Sequence, residues 1–279
     1  MLKFNLRTHS VDRIEFSTTS RIVFFCNIPG ARLSIPKIMH SAFVFLGLVA
    51  IASASPIAPR SYPPTLLSKG FALVANVTDL SSELSSKVHL RQITAWHQLA
   101  HLNRATPTVG KGDIFYQNGT TDTDQYFSST LLTELGVNTA GLQINWTDTT
   151  ATKYHMDINL GSGEKGVMLI SQGSPISYVS PFEKTGAPST FVVCNETIPW
   201  VSKDENDKFL ALDWLLGSVD ENGQWGLWVP EGCVSVKLLP QCTPLPDVPV
   251  GSAASHEFAQ EVRCYEDVSA IDWTAFSMV

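Results

Sequence analysis

His97 and His101, in the stretch "WHQLAHLN", are four residues apart. On a helix that spacing would put two imidazoles on one face, where they could share a metal ion. The stretch lacks the glutamate of a His-Glu-x-x-His protease, and no third ligand stands nearby. On a strand the two rings would share a face roughly 13 Å apart. They read as ordinary histidines, and no metal is expected. The acidic stretches "TTDTDQ" (Thr120 to Gln125) and "KDENDK" (Lys203 to Lys208) crowd oxygen ligands. Neither has the spaced ligands, central glycine and final glutamate of a calcium loop, so both read as solvated turns. A Gly-x-Ser-x-Gly elbow is absent, and no phosphate-binding glycine loop opens a helix. No cofactor is expected.

Carboxylates and tryptophans carry what chemistry remains. Asp213 interrupts the apolar run "FLALDWLL". On an alternating strand it faces outward; the alternative is a buried acid with a raised pKa. A glycoside hydrolase needs two carboxylates at a set distance, and with so many acids the sequence nominates no pair. All seven tryptophans lie at or beyond Trp96. Trp225 and Trp228 are candidates for stacking on sugar rings. Three residues apart on one strand, they would point to opposite faces, one into the core and one outward, with Trp214 near either.

The compartment follows from "MHSAFVFLGLVAIASASP", which begins at Met39. Its uninterrupted apolar run, Ala42 to Ala52, is 11 residues long. That is short of the roughly 20 a membrane helix needs. Lys37 and His40 precede it and "ASA" follows, which is the pattern of a secretory signal peptide at 39–54 cleaved after Ala54. Residues 1–38 then read as a dispensable upstream segment from a misplaced start codon, with translation beginning at Met39. Cleavage leaves 225 residues and removes six Lys/Arg and two Asp/Glu, so the formal charge moves from −7 to −11. An acidic surface without a basic patch disfavours nucleic acid and anionic membrane as partners.

Cleavage also removes Cys26, leaving Cys194, Cys233, Cys242 and Cys264. Four cysteines on an oxidising route predict two disulfides with three possible connectivities. Cys233 and Cys242 are close enough in sequence to staple a hairpin, which would leave Cys194 to join Cys264. Four Asn-x-Thr sequons, at Asn76, Asn118, Asn145 and Asn195, offer glycan sites. In "FALVANVT" and "GLQINWT" the asparagine alternates with apolar residues, which places Asn76 and Asn145 on a polar face. At least two sites are expected to be occupied.

The elements that must hold these residues are strands. Residues 55–69, with four prolines, read as a linker, and 70–279 as a single domain. Period-two alternation recurs in "KYHMDINL", "CVSVKLL" and "AGLQINW", with "GVMLIS", "TFVVC" and "KFLALDWLL" as further strand-like runs. "GSGEKG" and "DENG" read as turns between them. The best helical patterns are Leu80 to Leu102 and Glu257 to Cys264. The chain is therefore expected to be all-β, mainly antiparallel, a disulfide-bonded sandwich or barrel with short helices.

Four stretches, "SKGFALVANVTD", "IFYQNGT", "VPEGCVSVKLLPQC" and "SHEFAQEVRCYEDVSAIDW", resemble a family of uncharacterised secreted ascomycete proteins known as a domain of unknown function. The resemblance runs from Ser68 to Trp273. It implies secretion and a compact disulfide-bonded domain and supplies no catalytic residues. The expected function is that of a secreted, non-catalytic glycoprotein that binds cell-wall polysaccharide or a host protein. The alternative is a carbohydrate-active hydrolase. Oligomeric state is left open.

Overall fold

The computed structural model describes residues 62–276 except 101, 126, 147–151, 171–175, 182–187 and 199–200. The expected signal sequence, the upstream segment and residues 55–61 of the expected linker lie outside the described residues. In chain order the elements are β1 (Leu66–Ser68), β2 (Phe71–Val77), α1 (Ser85–Val88), β3 (Arg91–Leu99), β4 (Leu102–Thr108), β5 (Ile114–Asn118), α2 (Thr121–Gln125), β6 (Thr130–Leu135), β7 (Asn138–Ile144), β8 (Lys153–Leu160), β9 (Val167–Ile170), β10 (Tyr178–Pro181), β11 (Ser189–Thr197), β12 (Lys208–Leu216), β13 (Ser218–Val219), β14 (Trp225–Gly226), β15 (Cys233–Cys242) and β16 (Val262–Cys264). Two short 3₁₀ turns, Val268–Ala270 and Trp273–Ala275, follow.

The strands close a barrel. β2, β5, β6, β7, β8, β12, β11 and β15 pair in that order, all antiparallel, and β15 returns to β2. Closure leaves no outermost strand among these eight, which an open sandwich would not do; the edge lengths of β2 and β8 that the ring leaves open take β3 and β4. Inside, each strand contributes its alternate residues to one apolar cluster. Phe71, Leu73 and Ala75 of β2 meet Tyr154, Met156 and Ile158 of β8 and Leu212 and Trp214 of β12 in it. Leu160, on the same face of β8 by period, lies past the end of the core and is exposed.

Two strands share their edges between partners. β2 pairs β5 through Phe71 and Ala72, then β3 through Val74 and Ala75. β8 pairs β12 through residues 153–155, then β4 at Asp157. β2 and β8 are opposite in the ring of eight, so the β3–β4 hairpin spans from one to the other. This hairpin occupies the segment whose pattern suggested a long helix from Leu80 to Leu102. Only α1 is helical there. Leu90 takes a positive φ of 62° and its N–H bonds Ala75 O, which turns the chain onto the open part of β2's edge. A vacant strand edge outweighs the small helix propensity of the segment.

The second expected helix, Glu257 to Cys264, is also absent. Its last residues form β16, which pairs with β1 (Leu66↔Cys264, Ser68↔Val262). Thus the end of the proline-rich segment is part of the folded domain. The C-terminal stretch lies on the outer face of β2 and β15. There Val74 and Leu239 pack with Ile176, Tyr265 and Val268. β2 is consequently buried on both faces along its whole length.

Candidate functional site: a charged strand junction and an aromatic hairpin

Where β8 changes partner, six ionisable side chains from four strands come together. Arg104 of β4 is the centre. Its Nη2 donates to Asp213 Oδ1 of β12 at 2.8 Å and to Glu196 Oε2 of β11 at 3.3 Å. Its Nη1 donates to Met156 O at 3.3 Å and lies 3.5 Å from Asp157 Oδ1 of β8. Lys153 donates to both Glu196 and Asp213. His155 Nδ1 lies 2.9 Å from Asp213 Oδ1. Arg104, Asp157 and Asp213 are buried, Asp213 at 0 % exposure, while half of the His155 side chain reaches solvent. The far half of the β11–β12 ribbon bends over this junction, since Phe209 stacks on Trp96 of β3 at 4.6 Å.

Charge sets the acidity of each group. Burial alone would push Asp213 up, but the His155 hydrogen bond and the charges of Arg104 and Lys153 outweigh it and hold the carboxyl at about 2. Burial is the stronger influence at Asp157, whose pKa is raised despite Arg104. Lys153 is pushed down by burial and pulled further up by Asp213 and Glu196, for a net rise. Asp213 therefore faces outward, as alternation suggested, but it is buried there and is not a raised-pKa acid. It does point away from the barrel core, but the bent ribbon and β4 cover it.

This arrangement narrows the chemistry. His155, Glu196 and Asp213 offer ligand atoms within 4.8 Å of one another, a set that could hold a metal ion. Arg104 Nη2 donates to both carboxylates of that set, so a cation from the chain itself already sits among them. Asp213 accepts from three donors and stays ionised, which is the opposite of a hydrolase's general acid. Sequence reasoning missed the cluster because Lys153, His155 and Asp157 are the polar half of a clean period-two pattern, which reads as a solvated face.

The second feature is the hairpin of β13 and β14. Asp220 Oδ1 accepts the N–H groups of Asn222 and Gln224, and Gly223 takes a φ of 77°, so "DENG" forms the turn as expected. It joins β13 to β14 rather than β12 directly. β14 ends at Gly226, so Trp225 and Trp228 are not held to opposite faces of one strand. Both are exposed, at 64 % and 52 %, and neither enters the core. Trp214 is the buried member instead, packed edge-on to Trp146 at 5.3 Å. Val219, Leu227 and Val229 add exposed apolar surface beside the two indoles. Gly226 backs Trp228: a Cβ on it would stand 2.9 Å from the indole, so only glycine lets that ring lie against the strand.

The remaining candidates fall elsewhere. Cys194 bonds Cys233 across the paired strands β11 and β15, and Cys242 of β15 bonds Cys264 of β16. The local Cys233–Cys242 staple does not form, because those residues end a single ten-residue strand and stand at its opposite ends. His97 Nδ1 lies 2.9 Å from Asn103 Oδ1 on β4, and His101 is outside the described residues. In "TTDTDQ" Asp124 accepts from Gln117 and Ser129, and in "KDENDK" Asp204 and Asp207 accept backbone N–H groups of their own turn. Asn76 is buried, which alternation did not foresee because the outer face of β2 is covered.

A domain of unknown function, DUF7907, matches residues 68–242. It starts where the sequence resemblance starts and stops at Cys242, leaving the partner Cys264 and the C-terminal motif beyond it. The chain is 33% identical over 229 residues to "Antigenic protein SchS34" of the fungus Stachybotrys chartarum, which covers 80% of this chain and 99% of that protein. No solved structure matches the chain. On this match, which takes in most of the barrel, the chain belongs to the DUF7907 family.

Proposed function

We propose that this is a secreted, non-catalytic protein that binds cell-wall carbohydrate through the β13–β14 hairpin. The observation that carries the reading is the pair of indoles, Trp225 and Trp228, exposed together with one of them backed by Gly226. Large aromatic side chains usually enter β cores, as Trp214 does here, and a flat indole face left in water suits the apolar face of a sugar ring. The hairpin turn also carries Asp220, Glu221, Asn222 and Gln224, polar groups suited to sugar hydroxyls and poorly suited to an anionic membrane. Two disulfides and a fungal relative named as an antigenic protein are compatible with a place outside the cell. The saturated carboxylates of the junction favour binding over the hydrolase alternative.

Co-sedimentation with insoluble chitin, β-glucan and isolated fungal cell walls tests this. Each indole face is worth about 1 kcal/mol, so Trp225→Ala and Trp228→Ala should each weaken retention roughly 5-fold. No reducing ends should appear. Equal retention of the double variant, or release of sugar by the wild type, would refute the reading. Binding to a host protein that ignores both tryptophans would move the interface elsewhere on the barrel.

A further inference from the structure

The four sequons differ in what the fold does with their amide nitrogens. N-glycosylation joins the asparagine Nδ2 to the anomeric carbon of a sugar; the nitrogen loses one proton and a lipid-linked diphosphate leaves. The product keeps one N–H and carries a bulky polar group that must stand in water.

Asn76 fails this requirement. It is 2 % exposed, on a strand that pairs β15 on one edge and β3 and β5 on the other. Its pairing partner Lys237 is itself covered by the Tyr178 ring. A sugar at Nδ2 would have to displace β10 and the packing around it. Asn145 fails for a different reason. Its Nδ2 donates to Asp157 Oδ2 at 3.3 Å, so the atom that would carry the sugar is turned into the buried charged junction. A glycan there would be driven against Asp157, whose side chain is 4 % exposed and already faces Arg104.

Asn118 and Asn195 have neither obstacle. Both are partly exposed, Asn118 at the last position of β5 and Asn195 near the end of β11. Among the described residues, neither side-chain amide makes a hydrogen bond to the rest of the protein. Their backbones are fixed, by the Asn118↔Ala259 bridge and by Asn195 N–H to Gly232 O, so each amide is held at the surface.

We infer that in the folded protein N-glycan is confined to Asn118 and Asn195, and that Asn76 and Asn145 stay unmodified. This rests on passage through the secretory pathway, as in the proposed function. The same alternation that recommends Asn76 and Asn145 as surface positions is what places them under the layer at β10 and at the strand junction.

Expression of the full chain in a secreting fungal host tests it. Protein recovered from the medium is treated with peptide N-glycosidase in heavy-oxygen water, and peptides spanning each sequon are analysed by mass spectrometry. Label at Asn118 and Asn195 alone is the expected result. The Asn118→Gln, Asn195→Gln double variant should then run at the mass of the bare polypeptide, while Asn76→Gln should leave the glycan mass unchanged. Label at Asn76 or Asn145 in secreted protein, or at neither Asn118 nor Asn195, overturns the inference and leaves secretion standing. Absence of the protein from the medium overturns the secretory reading and takes the inference with it.

Discussion

Arg104→Met tests whether the junction is held by charge. Methionine keeps most of the aliphatic volume and removes the guanidinium, which leaves Asp213 at 0 % exposure with only Lys153 and His155 as partners. Removing one partner of a buried ion pair costs about 3–5 kcal/mol. For a chain of this size that lowers Tm by about 6–20 °C at pH 7. The pH dependence carries the sharper test. Asp213 has a folded pKa of about 2, below its ordinary 3.8. Its contribution, about 2 kcal/mol by linkage, is present above pH 3.8 and fades as pH falls toward 2. Asp157, with a raised pKa, acts in the opposite sense and disfavours the fold as pH rises through its titration. In the variant Asp213 loses the charge and the hydrogen bond of Arg104 and protonates more readily. The gap in Tm between wild type and variant should therefore narrow between pH 7 and pH 3. Thermal unfolding followed by circular dichroism across that range measures it. A loss below 1 kcal/mol at pH 7, or a gap that is constant with pH, would show that packing rather than charge holds β4 on β8.

Two other outcomes follow from the fold. The disulfide loops enclose sequence separations of 39 and 22 residues. Chain-entropy reasoning gives about 3–4 kcal/mol for each, so Cys194→Ser/Cys233→Ser and Cys242→Ser/Cys264→Ser should each lower the urea midpoint by a similar amount, whereas a local staple would have predicted unequal effects. Gly141 of β7 lies under the turn after β8: a Cβ there would meet the Gly163 backbone at 2.2 Å. Gly141→Ala should destabilise by about 1–3 kcal/mol by overpacking, while Gly110→Ala, with open space around it, should be near neutral in the same denaturation assay.

Period two made the strand content readable. "KYHMDINL" is β8 residue for residue, and "GSGEKG" is the turn that follows. The same signal misled where a second layer covers the sheet. Asn76 and Asp213 both sit on the outer side of their strands, and alternation cannot say that a further layer will cover β2 or that Arg104 of β4 will meet Asp213 on that side. Partner choice was equally hidden. That Arg104 would meet Asp157 and Asp213, over 50 and 100 residues away, depends on β8 changing partner at mid-strand, which no local pattern encodes. The hairpin tryptophans were found by type, but their shared exposure depends on a strand of two residues, too short for period to show.

The C-terminal segment also sets the order in which the molecule can be made. β1 and β2 leave the ribosome before the other strands, yet their partners, β16 and Tyr265, arrive nearly 200 residues later. Until then Val74 and Leu239 lack Tyr265 and Val268, and Cys242 has no partner thiol. The barrel can close during synthesis, but its final layer and second disulfide cannot form before the last residues emerge. Such late, non-local pairing is slow and exposes apolar surface in the interval. A nascent chain stalled before Cys264 would present a free thiol on Cys242 beside an incompletely covered strand.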